Sequence, residues 1–366
     1  MSDWNYTEAS GLNGRWLELF PREVREKLVS GHEILGKTTC EIRIRSGQPL
    51  TMAALDRQIY WQGRQWRSWP AAGLREEGTA PLILPEEMER LWLQITQGSQ
   101  YRLEREMQNG YLTLPGGHRL GFCGRAVTEE GRIKTMRDIA CLNLRLARQI
   151  KGGLEPWLPL LLKEGNWCSC LLVGPPLGGK TTLLRELIRL ASTGVAGADA
   201  GQAEAVAGVN VSLVDERSEL AGTYQGQAQF DLGPRTDVLD ACPKAEGMLL
   251  MIRSMGPQIL AVDEIGKPED LKALETALAC GVRVFATIHG SGLEEICRRP
   301  GIAGLLKQGF FDRLILLERR KAGFDGTESS NVEAGRTGPA AIKILDGKTQ
   351  LRLSLGGAVK GGSSGA

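Results

Sequence analysis

Residues 174–182 read Gly-Pro-Pro-Leu-Gly-Gly-Lys-Thr-Thr and match the phosphate-binding P-loop pattern GxxxxGK(S/T). The apolar run 170–173 precedes the loop, and an amphipathic pattern follows over residues 180–192. Glycines let the loop backbone wrap closely enough for its N–H groups to point at phosphate oxygens, and the following helix presents the positive end of its dipole. The sequence therefore predicts a strand, a nucleotide-binding loop and a helix in succession.

The loop also supplies candidate ligand contacts. Lys180 is expected to neutralise the β and γ phosphates of ATP, the Thr181 hydroxyl to bind Mg²⁺, and Thr182 to lie near the α-phosphate. A strand-to-helix turn without a ligand is the alternative explanation of such a segment. The nucleotide contacts that the pattern predicts are Gly174, Pro175, Pro176, Leu177, Gly178, Gly179, Lys180, Thr181 and Thr182.

Length and composition set the broad class. A chain of 366 residues exceeds one typical domain, so two domains are expected. Hydrophobic residues make up 42% and charged residues 24%, as in an ordinary soluble protein, and no apolar run approaches the roughly 18 residues that span a bilayer. Residues 1–5 lack the start of a secretory signal. These features predict a cytoplasmic location.

The cysteines and the net charge narrow the function classes. The eight cysteines form no CxxC pair and no histidine lies at metal-ligand spacing, so reduced thiols packed in the core are expected. A net charge of +2 leaves no electrostatic footprint of nucleic-acid binding over the whole chain. This weakens a nucleic-acid motor without excluding it.

Residues 1–150 have the pattern of a small α+β domain. Polar and apolar residues alternate in short segments, which predicts a sheet with one wet face. Strands are expected at 41–45, 49–52, 57–61, 110–114, 118–127 and 141–147, and helices at 85–96 and 101–107.

Residues 151–320 alternate regularly between strands and helices. Such alternation with long crossovers implies a parallel sheet covered on both faces, with the site at the carboxyl ends of its strands. Strands are expected at 168–173, 209–214, 258–263, 282–287 and 312–317, and helices at 180–192, 243–255, 268–280 and 291–299. The predicted fold class is therefore α/β, a RecA-like P-loop core behind a smaller α+β domain.

Three stretches look unstructured and receive no role. They are the alanine-rich segment 194–208, the polar segment 321–338 and the tail 356–366. A short hairpin is expected between the last two, so that residues 321–366 form a flexible loop, a hairpin and a disordered tail.

A second chemical signal is the apolar run 258–262 that ends in Asp263 and Glu264. Asp263 can hold Mg²⁺ and Glu264 can polarise the attacking water. An Asp-Glu pair that only caps the following segment is the alternative explanation. Together with the P-loop, the adjacent glutamate favours hydrolysis over a nucleotide switch.

The next apolar run, 282–286, leads to Thr287 and His289. In P-loop ATPases with a catalytic glutamate, the strand after the acidic one lies between it and the P-loop strand, so its tip faces the γ-phosphate. Thr287 and His289 would then sense the nucleotide. A histidine in a surface turn is the alternative.

The run 209–214 ends in the polar segment 215–219. The carboxylates of Asp215, Glu216 and Glu219 could order water or Mg²⁺, or cap the following segment, and the sequence leaves both open. Arg235 and Arg253 could reach phosphate or another subunit, although arginines in such places are usually solvated or paired locally.

Several of these segments together resemble the stage III sporulation protein AA family. The resemblance covers roughly residues 15–317 and rests on specific runs, at 109–113, 116–125, 142–147, 174–182, 214–219, 235–240 and 242–248. The family consists of mother-cell ATPases of endospore-forming bacteria that are related to type II and type IV secretion ATPases.

The resemblance implies a hexameric ring that powers a mother-cell-to-forespore channel complex through integral membrane partners, with membrane contact only through those partners. In the relatives, arginines complete a site between the N-terminal domain and the core. Arg145 in the first place, and Arg119 and Arg125 in the second, are expected to contact the γ-phosphate from the N-terminal domain or a neighbouring subunit, as an arginine finger does. A solvated hairpin arginine is the alternative for Arg119. The resemblance also favours functional roles for Glu216, Glu219 and His289.

Two rival functions come from other classes. A nucleic-acid motor would use the basic residues Arg43, Arg45 and Arg137 and would respond to DNA or RNA. A structural assembly factor would bind nucleotide without turnover, which the presence of Glu264 disfavours. No nucleic-acid partner is expected.

Overall fold

The computed structural model of the chain describes residues 5–6, 15–54, 57–62, 64–68, 83–97, 106, 110–176, 178–197, 205–318, 341–350 and 353. Within these ranges the strands form two seven-stranded sheets and three two-residue pairs. One large sheet is built from residues 39–145 and the other from residues 170–346.

The N-terminal sheet is antiparallel. Its strands are β1 (Thr39–Arg45), β2 (Thr51–Ala54), β3 (Gln58–Gln62), β4 (Gln65–Ser68), β5 (Tyr111–Leu114), β6 (His118–Glu129) and β7 (Arg132–Arg145), in the order β4-β3-β2-β1-β7-β6-β5. Side chains alternate between its faces, so Ile42, Ile44, Leu142 and Leu144 are buried together. The predicted sheet with one solvent-exposed face is confirmed.

Two helices cover the buried face. Helix α2 (Pro85–Ile95) matches its prediction, with Pro85 at its first position and the Glu87 carboxylate accepting the Leu84 N–H at 2.7 Å. Helix α1 (Arg22–Leu35) is not predicted, because a glycine interrupts its pattern at Gly31. A Cβ atom on Gly31 would lie 2.5 Å from the Met52 sulfur, so the glycine allows α1 to approach the sheet closely.

The core sheet is parallel except at one edge. Its strands are β8 (Cys170–Gly174), β9 (Val211–Asp215), β10 (Thr236–Asp240), β11 (Ile259–Val262), β12 (Arg283–His289), β13 (Arg313–Glu318) and β14 (Ala341–Asp346). They pair in the order β10-β9-β11-β12-β8-β13-β14, and only β14 runs antiparallel to its neighbour. The predicted parallel sheet is confirmed.

Helices pack on both faces of the core sheet. They are α3 (Leu158–Leu161), α4 (Lys180–Thr193), α5 (Lys244–Met255), α6 (Pro268–Ala279), α7 (Leu293–Cys297) and α8 (Pro300–Lys307). Along β8, Cys170 and Leu172 belong to the core cluster that includes side chains of α4, while Leu171 and Val173 belong to the cluster on the other face, which includes side chains of α5 and α6. A strand buried on both faces reads as a continuous apolar run, which explains why the sequence shows it clearly.

Several expectations need correction. Strand β10 was not predicted, and the predicted helix 291–299 is in fact α7, followed after a short break by α8. Segment 194–208 is not wholly unstructured, because Gly194–Val195 pairs with Val206–Ala207. Cys123 and Cys280 are exposed rather than in the core. The helix predicted at 101–107, apart from residue 106, and the segments 321–338 and 356–366 lie outside the described residues.

The segment between the two sheets is tied to the core. Gln149 Nε2 donates to the Asp231 carbonyl at 2.7 Å, and Lys151 Nζ contacts the Asp231 carboxylate at 2.5 Å. The Gly152 N–H donates to Glu186 Oε1 on α4 at 2.9 Å. The linker therefore contacts the helix that begins at the P-loop. None of the helices in the described part of the chain is long and apolar enough to cross a membrane.

Candidate nucleotide-binding site

The P-loop connects β8 to α4 at the carboxyl edge of the core sheet. Strand β8 ends at Gly174 and helix α4 begins at Lys180. Gly179 has φ 86°, a left-handed conformation that glycine adopts without steric cost. A Cβ atom on Gly178 would lie 2.9 Å from the Pro175 carbonyl oxygen. Both glycines therefore have a local structural reason to occupy the positions that the phosphate-binding pattern requires.

The Lys180 side chain is held inside the loop and is only 6% exposed. Its Nζ donates to the carbonyl oxygens of Gly174 at 2.9 Å and Pro175 at 2.8 Å, and it lies 2.9 Å from His289 Nδ1. Burial lowers the pKa of Lys180, while nearby carboxylates oppose that shift. The lysine thus contacts both the loop and the tip of β12.

Oxygen-bearing side chains join α4 to β11 and β12. The Thr181 hydroxyl donates to Asp263 Oδ2 at 2.9 Å, and the Thr287 hydroxyl donates to Asp263 Oδ1. Thr287 Oγ1 also accepts the N–H of Glu264 at 2.8 Å. Mg²⁺ prefers such hard oxygen ligands and is usually bound through one or two carboxylates plus substrate phosphates. The hydroxyl of Thr181 and the carboxylate of Asp263 therefore fit a bound Mg²⁺.

Glu264 follows Asp263 at the end of β11, and both its side chain and its backbone make contacts. Its Oε1 lies 2.8 Å from His289 Nε2, and its Oε2 lies 3.2 Å from Arg217 Nη1. Its carbonyl oxygen accepts a hydrogen bond from Lys244 Nζ at 3.0 Å. Its φ is 56°, a left-handed value that non-glycine residues adopt uncommonly. The result is an oriented carboxylate, which can accept a proton from water.

The order of the strands brings these distant residues together. Strand β12 lies between β11 and β8, as the sequence predicts, and Gly174 pairs with His289 in register. Because the three strands are parallel, their carboxyl ends share one edge of the sheet. Lys180, Asp263 and Glu264 consequently meet although they are far apart in the sequence.

Asp215, at the end of β9, organises the loop that follows. It is 2% exposed, and its carboxylate accepts the N–H groups of Glu219 at 3.0 Å, Leu220 at 2.9 Å and Ala221 at 2.8 Å. Burial raises the pKa of Asp215 to about 6, against the effect of these hydrogen bonds. Of the two interpretations left open by the sequence, the geometry favours capping for this carboxylate, whereas Glu216 and Glu219 reach the cleft described below.

The N-terminal sheet contacts the same loop. Arg119 Nη1 on β6 lies 2.7 Å from Glu219 Oε1, and its guanidinium lies 3.6 Å from the centre of the Tyr111 ring on β5. The Tyr111 hydroxyl donates to the Arg217 carbonyl at 3.5 Å. The hairpin of β5 and β6 therefore reaches the edge of the candidate site.

The three arginines predicted to contact the γ-phosphate differ in whether they reach the site. Arg145 on β7 is exposed and stands opposite Arg119 in register, and its side chain makes no hydrogen bond or ion pair with any residue that the structure describes. Arg119 borders the cleft, whereas Arg145 and Arg125 do not. The γ-phosphate role of Arg145 stays a prediction.

A cleft of about 660 Å³ opens beside Glu264. It lies between the hairpin of the N-terminal sheet and the loops of the core, and it is lined by side chains of both charge signs. Its basic lining residues are Arg119, Arg217, Lys244, Lys267 and Arg299, and its acidic ones are Glu216, Glu219, Glu264 and Asp270.

The remaining predicted residues are more peripheral. Leu177 lies outside the described residues, and Thr182 is half-buried in the first turn of α4. Arg253 donates to the Leu249 carbonyl of its own helix at 3.1 Å, and neither it nor Arg235 lines the cleft.

The sequence does not indicate that Arg217 and Lys244 contact Glu264. Both residues stand in runs that carry the family resemblance, 214–219 and 242–248, but neither was assigned a role. A basic residue after a predicted strand or at a helix start has no spacing that indicates its partner. Only the packing of the loops identifies these contacts.

The strand order and the P-loop site together define a RecA-like P-loop ATPase fold behind an α+β domain. The ATPase DotB of Yersinia pseudotuberculosis has a similar structure, with a TM-score of 0.51 and 15% sequence identity over 94% of this chain and 83% of that one. DotB of Legionella pneumophila has a TM-score of 0.49 and 18% identity over 89% of this chain and 82% of that one. These similarities concern the fold.

The sequence comparisons define the family. The family model described as "Sporulation stage III, protein AA" matches residues 17–327. Stage III sporulation protein AA of Bacillus subtilis (strain 168) is 40% identical over 304 residues, which cover 83% of this chain and 90% of that protein. The chain belongs to the stage III sporulation protein AA family.

Proposed function

We propose that this chain is a Mg²⁺-dependent ATPase, a secretion-type motor that works as a hexamer and powers a mother-cell-to-forespore membrane channel complex. The observation that carries the proposal is the position of Glu264. Its carboxylate lies 2.8 Å from His289, and His289 lies 2.9 Å from the P-loop ammonium of Lys180. A candidate base is thus two contacts away from the predicted phosphate site.

The residues have separate roles in the proposed reaction. The backbone of residues 174–179 and the ammonium of Lys180 bind the phosphates, and Thr181 and Asp263 hold Mg²⁺, which supplies charge neutralisation for phosphoryl transfer. Glu264 accepts the proton of the attacking water. His289, in contact with both Lys180 and Glu264, is placed to report the state of the nucleotide to the base.

The N-terminal domain is proposed to move against the core during the cycle. The Arg119–Glu219 pair joins the two parts at the cleft, and both side chains are more than one-third exposed, so the pair is weak enough to exchange partners. Arg145 is proposed to complete the site of the same or a neighbouring subunit. The partners would be integral membrane proteins of the channel complex, and the chain would work in the mother-cell cytoplasm, peripheral to the membrane.

Substitution of the proposed base tests the function. Glu264→Gln keeps the size of the side chain but removes its basicity, so ATP turnover should fall at least about 100-fold while ATP affinity is retained. Turnover is followed by phosphate release, and affinity by titration with a fluorescent ATP analogue.

The matched control is Glu275→Gln, an exposed glutamate on α6 outside the cleft, which should hydrolyse ATP like the wild type. Hydrolysis by Glu264→Gln at the wild-type rate would place the base elsewhere. Hydrolysis by neither variant nor wild type would contradict the ATPase assignment itself.

A further inference from the structure

Lys244, the first residue of α5, is a partly buried cation in an electrostatically unfavourable position. The N-terminus of a helix carries a partial positive charge, so a lysine there gains nothing from the helix dipole. Its side chain is only 10% exposed, and Nζ lies 2.8 Å from Glu216 Oε2 and 3.0 Å from the Glu264 carbonyl oxygen. The favourable contacts of this ammonium are with two residues that flank the cleft.

The second contact is made to a strained backbone. Glu264 has φ 56°, which costs free energy for a residue with a Cβ atom. Its N–H donates to Thr287 Oγ1 at 2.8 Å and its carbonyl accepts from Lys244. The peptide before the strained Cα is therefore held by Thr287, and the peptide after it is held by Lys244 at its carbonyl and by the Thr287 carbonyl, which accepts the Ile265 N–H at 2.9 Å.

The direction of the Glu264 side chain follows from this backbone. Rotation of φ to an ordinary negative value would redirect the Cα–Cβ bond and separate the carboxylate from His289 and Arg217. Thr287 belongs to the adjacent strand and has neighbours on both sides. Lys244 stands on a separate helix, so it is the contact that a single substitution can remove without disturbing the sheet.

We propose that Lys244 is a positioning residue for the general base: its ammonium, anchored by Glu216, holds the Glu264 peptide in the left-handed conformation that aims the carboxylate. This inference rests on the proposed ATPase function. Lys244 acts through Glu264, because two of the three N–H donors of its ammonium are directed to the Glu216 carboxylate and the Glu264 carbonyl.

The test is Lys244→Met, which keeps the length and apolar stem of the side chain and removes the ammonium. The value of kcat for ATP should fall about 100-fold, as expected when a reacting group is displaced by about 1 Å, while KM and the affinity for a fluorescent ATP analogue change less than about threefold. The matched control is Lys272→Met, an exposed lysine of α6 outside the cleft, which should keep wild-type kcat.

Two further variants separate positioning from folding. Lys244→Arg retains donors for both partners and should recover most of kcat, which a loss of mere packing volume would not explain. Lys244→Met in the Glu264→Gln background should lower the residual turnover no further, because the residue acts only through the base. Circular dichroism should show that each variant is folded.

The outcomes distinguish the inference from the proposed function. Wild-type turnover with an unchanged kcat in Lys244→Met overturns the inference alone. A raised KM with an unchanged kcat would make Lys244 a nucleotide-binding residue and also overturns it. A wild-type protein that binds ATP without turnover, under conditions where Lys180→Ala does not bind, overturns the proposed function and the inference together.

Discussion

His118 shows at the residue scale how burial sets a protonation state in the N-terminal domain. The imidazole is 1% exposed, and its Nδ1 accepts the Ala147 N–H at 3.0 Å, so the ring is neutral. The Trp16 ring packs against it in a T-shaped arrangement, with the ring centroids 5.3 Å apart. Burial lowers the pKa of His118 to about 4. Its contribution to stability must therefore depend on pH.

The sign follows from proton binding by the two states. The unfolded chain, with a histidine pKa of about 6.5, binds more protons than the folded one between pH 6.5 and 4, so the contribution is complete above pH 6.5 and is lost as pH falls towards 4. Between pH 7 and pH 5 the free energy of unfolding should decrease by about 2 kcal/mol through this residue.

His118→Asn removes the titration and keeps an acceptor for the Ala147 N–H. Urea unfolding at pH 7 and pH 5, followed by tryptophan fluorescence, should show a smaller pH effect for the variant by about that amount. Equal pH effects in the two proteins would mean that His118 is not held neutral in the folded state.

The ammonium of Lys180 has a contact that the P-loop pattern does not specify. The pattern predicts the lysine, and its two carbonyl partners lie six and five residues before it in the same loop. The contact with His289 depends on the register between β8 and β12, which no local pattern shows. The sequence therefore identified the ammonium but only partly its surroundings.

At the scale of elements, helix α4 connects the nucleotide loop to the interdomain linker. It starts with Lys180 and carries Glu186 two turns later, where Oε1 accepts the Gly152 N–H at 2.9 Å and the guanidinium of Arg189 at 2.7 Å. The Glu186 side chain is fully buried and that of Arg189 is 15% exposed. A shift of α4 would therefore move the linker as well.

Glu186→Ala should be strongly destabilising. It leaves the Arg189 guanidinium nearly buried without its main partner and the Gly152 N–H without an acceptor, and breaking such a pair typically costs about 3 kcal/mol or more. Chemical unfolding followed by circular dichroism measures the loss.

The double variant Glu186→Ala/Arg189→Ala provides the control, because removing both charges leaves no uncompensated cation. Its loss of stability should be smaller than the sum of the two single losses. Additive losses would show that the two residues stabilise the protein independently, contrary to their 2.7 Å contact.

The strands and helices differ in how clearly the sequence predicts them. Strands β8 and β11 are buried on both faces and read as unbroken apolar runs, so they were predicted closely. Strand β10 has only half-buried residues at the edge of the sheet, and its sequence reads as a turn. Helix α1 was missed because its pattern is interrupted by Gly31, whose use becomes clear only against the sheet.

For the whole molecule, the cleft lies where the two parts of the chain meet. Arg119 contributes from the N-terminal sheet and Glu219 from the core, and the linker residues Gln149 and Lys151 contact Asp231 of the core. Arg145 lies on the same sheet as Arg119 with an exposed side chain. Under the proposed function, Arg145 would complete the site of the same or a neighbouring subunit.

The proposed ring predicts a change of mass with nucleotide. A slowly hydrolysed ATP analogue with Mg²⁺ should convert the chain of 39.8 kDa into a species of about 240 kDa, six subunits, because in the proposed ring Arg145 of a neighbouring subunit contacts the bound nucleotide and binding then favours the assembled state. Analytical ultracentrifugation with and without the analogue measures it.

Lys180→Ala is the matched control, because it should not bind the analogue and should stay at its nucleotide-free mass. A monomer for the wild type under all conditions, with the analogue shown to be bound, would contradict a ring assembled by nucleotide alone. A hexamer without nucleotide would contradict the proposed dependence but not the ring.

Sequence alone determined the P-loop, the acidic pair at 263–264, the alternation of strands and helices, and the family resemblance. Each is a pattern of neighbouring residues, and the conformation of a strand, a tight loop or a helix turn is fixed over a few residues by backbone sterics and burial. Tertiary structure alone decided that Arg217 and Lys244 contact Glu264, and that Arg119 rather than Arg145 reaches the cleft. These contacts join loops and domains whose separation in space depends on strand order and register, which act over the whole sheet.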